Sequence, residues 1–323
     1  MGKIVGFLIG VGVTAAIAGG VLFAVGFAAN EKEKKEGVDT KEYVATESFE
    51  DIDVDLICSN LKIEKATDGV NKVVYGDKDK LYNEVAVKDN KLTIKQVDDR
   101  PWYKRWLFNF NWYYNDELTV TIYLAGDTYN NLVASNQVNS IEVAKDFSFK
   151  TVDLKTNTGS VSVYASATES VKAVTNTGSV HAKGLTTASL KCSADTGSVN
   201  VESAIVNGDA DLHSATGTTN VNESTFNNLK VENNTGTINV NNSTASGEMN
   251  LKTSTGSIRL SRVDAASMKL KTSTGSITGS VLTAKNFKGK SSTGSVDLPD
   301  SDSSAGVFDA ETSTGSIRIT IAD

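Results

Sequence analysis

The 323-residue chain carries 39 acidic against 32 basic residues, a formal charge of −7, so bulk positive charge cannot hold it on nucleic acid. Two cysteines exclude a disulfide scaffold or a Cys-rich zinc protein, and two histidines leave little for His-based metal or acid–base chemistry. With no phosphate loop or nucleophile signature in the sequence, we expect a protein that is not an enzyme and that holds neither cofactor nor metal.

From Ile4 to Ala29 no residue is charged. At a rise of about 1.5 Å per residue this run crosses a hydrocarbon core of about 30 Å. It exceeds the roughly 7–15 apolar residues of a cleaved signal peptide, so a transmembrane helix over residues 1–30 is expected, although Gly26-Phe27-Ala28 offers small residues for cleavage. Gly6-x-x-x-Gly10 reads as ordinary glycine tolerance in such a helix. Only Lys3 precedes the run, whereas Lys32, Lys34, Lys35 and Lys41 follow it among Glu31, Glu33 and Glu36. These charges leave the orientation open, because long domains translocate largely regardless of them. The expectation is a single-pass cell-membrane protein with an extracellular C-terminal part, joined to its anchor by a charged linker over 31–47.

Residues 48–131 alternate like strands at Val85-Ala86-Val87, Leu92-Thr93-Ile94 and Leu118 to Tyr123, and read as an irregular β cap. Within them Ile52, Val54, Leu61 and Ile63 already show the spacings of the repeat that follows, so the stack could begin near residue 50. Segment 101–114 stands apart, since it holds all three tryptophans and eight of the 23 aromatic residues.

From residue 132 to 323 the chain repeats. Thr-Gly-[Ser/Thr] recurs with glycine at Gly159, Gly178, Gly197, Gly217, Gly236, Gly256, Gly275, Gly294 and Gly315, spaced 19 to 21 residues apart. Numbering the residue seven before each glycine as position 1, that position is always apolar, from Val152 to Phe308, and position 10 is almost always β-branched, from Val161 to Ile317. Each unit is apolar-x-apolar, a polar turn, then apolar-x-apolar, which is a strand period on both sides of a turn. Glycine suits a turn that needs a positive φ. Stacked units make a parallel β-solenoid of about ten coils, all-β, with one continuous core. Leu132, Ala134, Ile141 and Val143 form a degenerate opening coil, with Asn139 in the glycine slot.

The register also sorts residues that resemble chemistry. Cys192 falls at inward position 3 and reads as a small hydrophobe, while His181 and His213 fall on different outward ladders and form no metal pair. Asp153, Asp211 and Asp309 share position 2 but lie coils apart, so no carboxylate pair for a glycosidase or lyase emerges. The threonines before glycine are expected to cap the turn through their hydroxyls, in preference to forming an ice-binding array.

On Phe49-Glu50-Asp51-Ile52-Asp53-Val54, Leu92-Thr93-Ile94, Leu118 to Leu124 and the Ser-Thr-Gly-Ser-Ile coils at 254–258, 273–277 and 313–317, the chain resembles the bacterial putative-adhesin family over about 48–323. That resemblance implies a membrane-tethered extracytoplasmic β-helix, some relatives being linked to envelope stress, and it supplies no catalytic residues. Segment 101–114 departs from it as an insertion.

Two surfaces are candidates for function. Trp102, Tyr103, Lys104, Arg105, Trp106, Phe108 and Trp112 suit a membrane interface or a partner platform, or else fill the cap's own core. Lys252, Lys271 and Lys290 share outward position 4, and Lys269 and Lys288 position 2, in consecutive repeats, with Asp309 and Glu311 interrupting in the next. This row would meet an anionic wall polymer or lipid headgroups, or would be a solvated face. The function expected is a non-catalytic surface interaction or envelope-stress module. The alternatives are an adhesin for host or neighbouring-cell surfaces and a carbohydrate-active β-helix enzyme; glycans and envelope proteins remain possible partners.

Overall fold

A computed structural model describes residues 38–78, 80–101 and 118–322. The expected membrane span and residues 102–114 of the aromatic insertion lie outside the described residues, among which no helix is long and apolar enough to cross a membrane.

From Thr40 on, the described residues fold as a β-solenoid. Each regular coil consists of a long strand, such as Ser148–Thr158, the Thr-Gly turn, and a short strand, such as Val161–Val163. Long strands pair in parallel with long strands, and short with short, one coil to the next. Positions 1, 3, 10 and 12 point inward in both sheets: Val152, Leu154, Val161 and Val163 are each at most 1% exposed. The spacing of apolar residues therefore sets which face of each strand is buried, as period two requires.

Each long strand also runs past the repeat core that the sequence revealed. Phe149, Ala167, Thr187, Val206, Phe226, Ala245 and Ala265 form a further inward column, followed by a bulge. The bulge absorbs variable coil length. Thr187 to Leu190 spans three steps while its partner stretch Val206 to Ala210 spans four, so the twentieth residue is stored there without moving the core.

The stacking order is not the chain order. Asp51–Leu56 and Asn60–Lys65 lie between the coil of Thr128–Val138 and Ile141–Val143 on one side and Lys91–Asp98 with Thr119–Leu124 on the other. At the far end, Val307–Thr314 and Ile317–Ile321 lie between Ile258–Thr274 with Ile277–Val281 and the coil of Asn286–Thr293 with Val296–Asp297. Each chain-terminal coil thus occupies the penultimate place. Among the described residues twelve coils stack, two more than the ten-unit repeat, because part of the expected cap continues the ladder. The antiparallel strands Leu81–Lys88 and Lys72–Asp77 flank the first coil, and Asp39–Val44 pairs outside the latter.

Candidate functional site

The turn between the two sheets is built from three ladders. The turn glycines from Gly159 to Gly315 adopt φ between 138° and 156°, and a Cβ on any of them from Gly178 on would stand 1.8–2.1 Å from the carbonyl oxygen of the adjacent coil's glycine. Glycine is therefore required twice, by backbone angle and by close approach. Asn139 holds the slot in its coil at φ 85°, as the sequence suggests.

The capping hydroxyl comes from position 5, not from the threonine before glycine. Thr175, Thr253, Thr272 and Thr312, all buried, donate to the carbonyls of Gly159, Gly236, Gly256 and Gly275 at 2.8–3.0 Å, and Ser214 and Ser291 do the same to Gly197 and Gly315. Asn233 donates to the Gly217 carbonyl through its amide instead, at 3.3 Å, and Ala194 is the position-5 residue with no polar side chain. The expectation that Thr158 to Thr314 cap the turn is corrected: their side chains are exposed and stack in register, Thr158 on Thr177 on Thr196. The backbone of the turn splays position 7 outward while position 5 stays under the glycine.

On the outer face of the short-strand sheet the amides of Asn200, Asn220 and Asn239 form a ladder with 2.8 Å hydrogen bonds, each Nδ2 donating to the preceding Oδ1, and Asn241 donates likewise to Asn222. His181 abuts Asn200 at 3.5 Å. This face is neutral and polar over several coils.

The long-strand sheet is the charged face. The five lysines singled out by the sequence do lie on it and are exposed, but not as an unbroken row. Because the last coil is inserted, Asp309 stands between Lys269 and Lys288, and Glu311 between Lys271 and Lys290. Lys271 Nζ pairs with Glu311 Oε2 at 2.7 Å, and Lys252 with Glu232 at 3.9 Å. The expected adjacency of Lys271 and Lys290 is thereby corrected. Lysine 271's hydrogen bond holds the Glu311 carboxyl below the usual glutamate range. Even so, positions 2 and 4 from the coil of Val152 outward carry nine lysines against five carboxylates, a local excess of positive charge on an acidic chain.

At the opposite end, the aromatic insertion replaces the Thr-Gly turn of the first coil. It leaves after Pro101 and returns at Leu118, which is 1% exposed. Its exit is fixed by a bidentate pair, Arg100 Nε and Nη2 donating to Asp98 at 2.7 and 2.6 Å, with side chains 9% and 7% exposed. Gln96 beside it accepts from the amides of Ile57 and Cys58 and donates to Ser59. Burial pushes the Cys58 thiol up to about 11 and the Cys192 thiol up to about 12, so both act as packing groups. Trp102, Tyr103, Lys104, Arg105, Trp106, Phe108 and Trp112 themselves lie outside the described residues.

A putative adhesin from Parabacteroides merdae is similar in structure, with 14% identity over 77% of this chain and 98% of that one and a TM-score of 0.51. A putative adhesin from Bacteroides fragilis (17% identity, 89% and 98% covered, TM-score 0.46) and a protein from Parabacteroides distasonis described as a putative lipid binding protein (10%, 88% and 98%, 0.44) are also similar. The first likeness shows a shared fold. No curated protein matches. The Toastrack DUF4097 description covers residues 49–320, nearly the whole solenoid together with both of its tucked-in ends, and the chain belongs to that family.

Proposed function

We propose that this chain is a single-pass membrane protein whose solenoid stands on the outer cell surface as a non-catalytic interaction or envelope-stress module. The observation that carries this reading is a coincidence of position. The described chain enters at Asp39–Val44, on the outer edge of the first end, and the aromatic insertion is rooted at Pro101 and Leu118 in the first coil of that same end. A segment rich in Trp, Tyr, Lys and Arg at the end that follows an uncharged 26-residue run suits the headgroup layer, where aromatic rings and basic heads are both favoured.

All three tryptophans belong to that insertion, so tryptophan emission, excited selectively over tyrosine, reports on it alone. In vesicles reconstituted with the full chain, lipids spin-labelled near the headgroup should quench the emission strongly. Emission unaffected by shallow or deep labels would remove the membrane contact from the proposal. Protease added to intact protoplasts tests the orientation separately: a C-terminal tag should be lost before lysis, and its protection would place the solenoid inside.

The lysine-bearing sheet supplies the surface for a ligand. Its charges run in rows along the solenoid axis, which suits a linear anionic wall polymer. Reversal of Lys269 and Lys288, neither ion-paired with a carboxylate among the described residues, should weaken salt-sensitive binding to that polymer. Binding that is insensitive to both the substitutions and salt would discard the surface.

A further inference from the structure

In an ordinary solenoid the last coil of the chain has one neighbour and frays as a free tail. Here the last coil has two. Phe308, Ala310, Thr312, Ile317 and Ile319 of Val307–Ile321 are all buried, and its strands pair on both sides. The coil with one neighbour is the preceding one, held by the chain at both ends. In residues 286–297 only Phe287 is buried, the second strand is the two-residue Val296–Asp297, and Val296 is 43% exposed. Inward position 3 is Gly289, where a Cβ would lie 2.7 Å from Leu298 Cδ1, so this coil closes over a narrowed interior.

Beyond its one-sided ladder to Val307–Ile321 and the Ser291 and Ser295 bonds at the turn, three side-chain contacts hold it down. Lys285, buried at the start of the excursion, pairs with Asp264 at 2.6 Å and donates to the carbonyl of Ala265 at 2.7 Å, reaching past the inserted coil. Phe287 lies 5.4 Å from Phe308, centroid to centroid. Ser301 closes the outer edge by accepting from the Phe287 amide and donating to its carbonyl, both at 3.0 Å.

We infer that residues 282–306 form a hinged flap, latched by Lys285, that opens as a tethered loop while the C-terminal coil beneath it stays folded. The tether limits the entropy gained on opening, and the pairing of Val307–Ile321 with Ile258–Thr274 and Ile277–Val281, which the opening leaves intact, stops it from spreading into the solenoid. Stability at this end therefore runs against chain order, with the final residues more protected than those before them.

Hydrogen exchange of the full chain in detergent micelles, read by mass spectrometry, tests this. Peptides from 286–297 should exchange at least about tenfold faster than peptides from 307–321. Lys285→Met should speed exchange in 286–297 further and leave 307–321 unchanged. A Lys290→Cys and Glu311→Cys crosslink, at paired positions, should slow 286–297 to the rate of 307–321. Equal exchange in both segments of the wild-type chain, or deprotection of both by Lys285→Met, would overturn the flap.

Discussion

Gly236 and Gly184 both have positive φ, at 141° and 66°, yet they should respond differently to substitution. A Cβ at Gly236 would stand 1.8 Å from the Gly217 carbonyl oxygen, whereas nothing lies within 4 Å of one at Gly184. Gly184→Ala should cost about 1 kcal/mol in urea unfolding, the conformational strain alone, and Gly236→Ala several-fold more, about 3 kcal/mol or above. Similar losses for the two would mean that close approach is not what selects glycine. The same distinction explains why the second turn left no trace in the sequence. Ser203, Glu223, Asn242 and Arg262 occupy equivalent positions there at φ 45–53°, an angle that many residues tolerate when nothing crowds the Cβ. Beneath the first turn, Ala194→Ser supplies the hydroxyl that other coils direct at the neighbouring glycine carbonyl. It should stabilise by about 0.5–1 kcal/mol, seen as a higher urea midpoint. The thiol of Cys192, held neutral by burial, should resist alkylation at pH 8 until the chain is unfolded.

At the scale of elements, alternation made the inward faces legible, because a one-residue slip would exchange core for surface. The bulge was not legible: its extra residue is stored between Val206 and Ala210 without any fixed residue type. The partner of Lys271 was not legible either, since Glu311 is forty positions away. The depressed Glu311 carboxyl means that the pair stabilises the native state above the ordinary glutamate range near 4.5, and that this contribution is lost as pH falls through the lowered value. Both side chains are half exposed, so the effect is small and screened by salt. Glu311→Gln should abolish it, leaving acid stability otherwise parallel to wild type in a pH series of thermal midpoints.

For the whole molecule, the decisive feature is that both chain-terminal coils are tucked inward. A disulfide needs Cα atoms within about 7 Å, and neighbouring strands lie about 4.8 Å apart. Lys271→Cys with Glu311→Cys should therefore crosslink on mild oxidation, while Lys271→Cys with Lys290→Cys, two strands apart, should not. The reverse outcome would restore simple chain order. Twelve coils at about 4.8 Å give a stack of about 55 Å.

The sequence by itself determined the repeat, the faces of its strands, the glycine turn and the membership of Cys192 in the core, because each is fixed by contacts whose spacing recurs every 19 to 21 residues. Only the tertiary structure decided which coils touch at the two ends, and with that which charges meet on the lysine face. Any coil offers its neighbour the same ladder of backbone groups and apolar columns, so local patterning is equally satisfied by several stacking orders. The choice rests on loop reach, on the Lys285–Asp264 pair and on the fit of Phe287 over Phe308, none of which repeats along the chain.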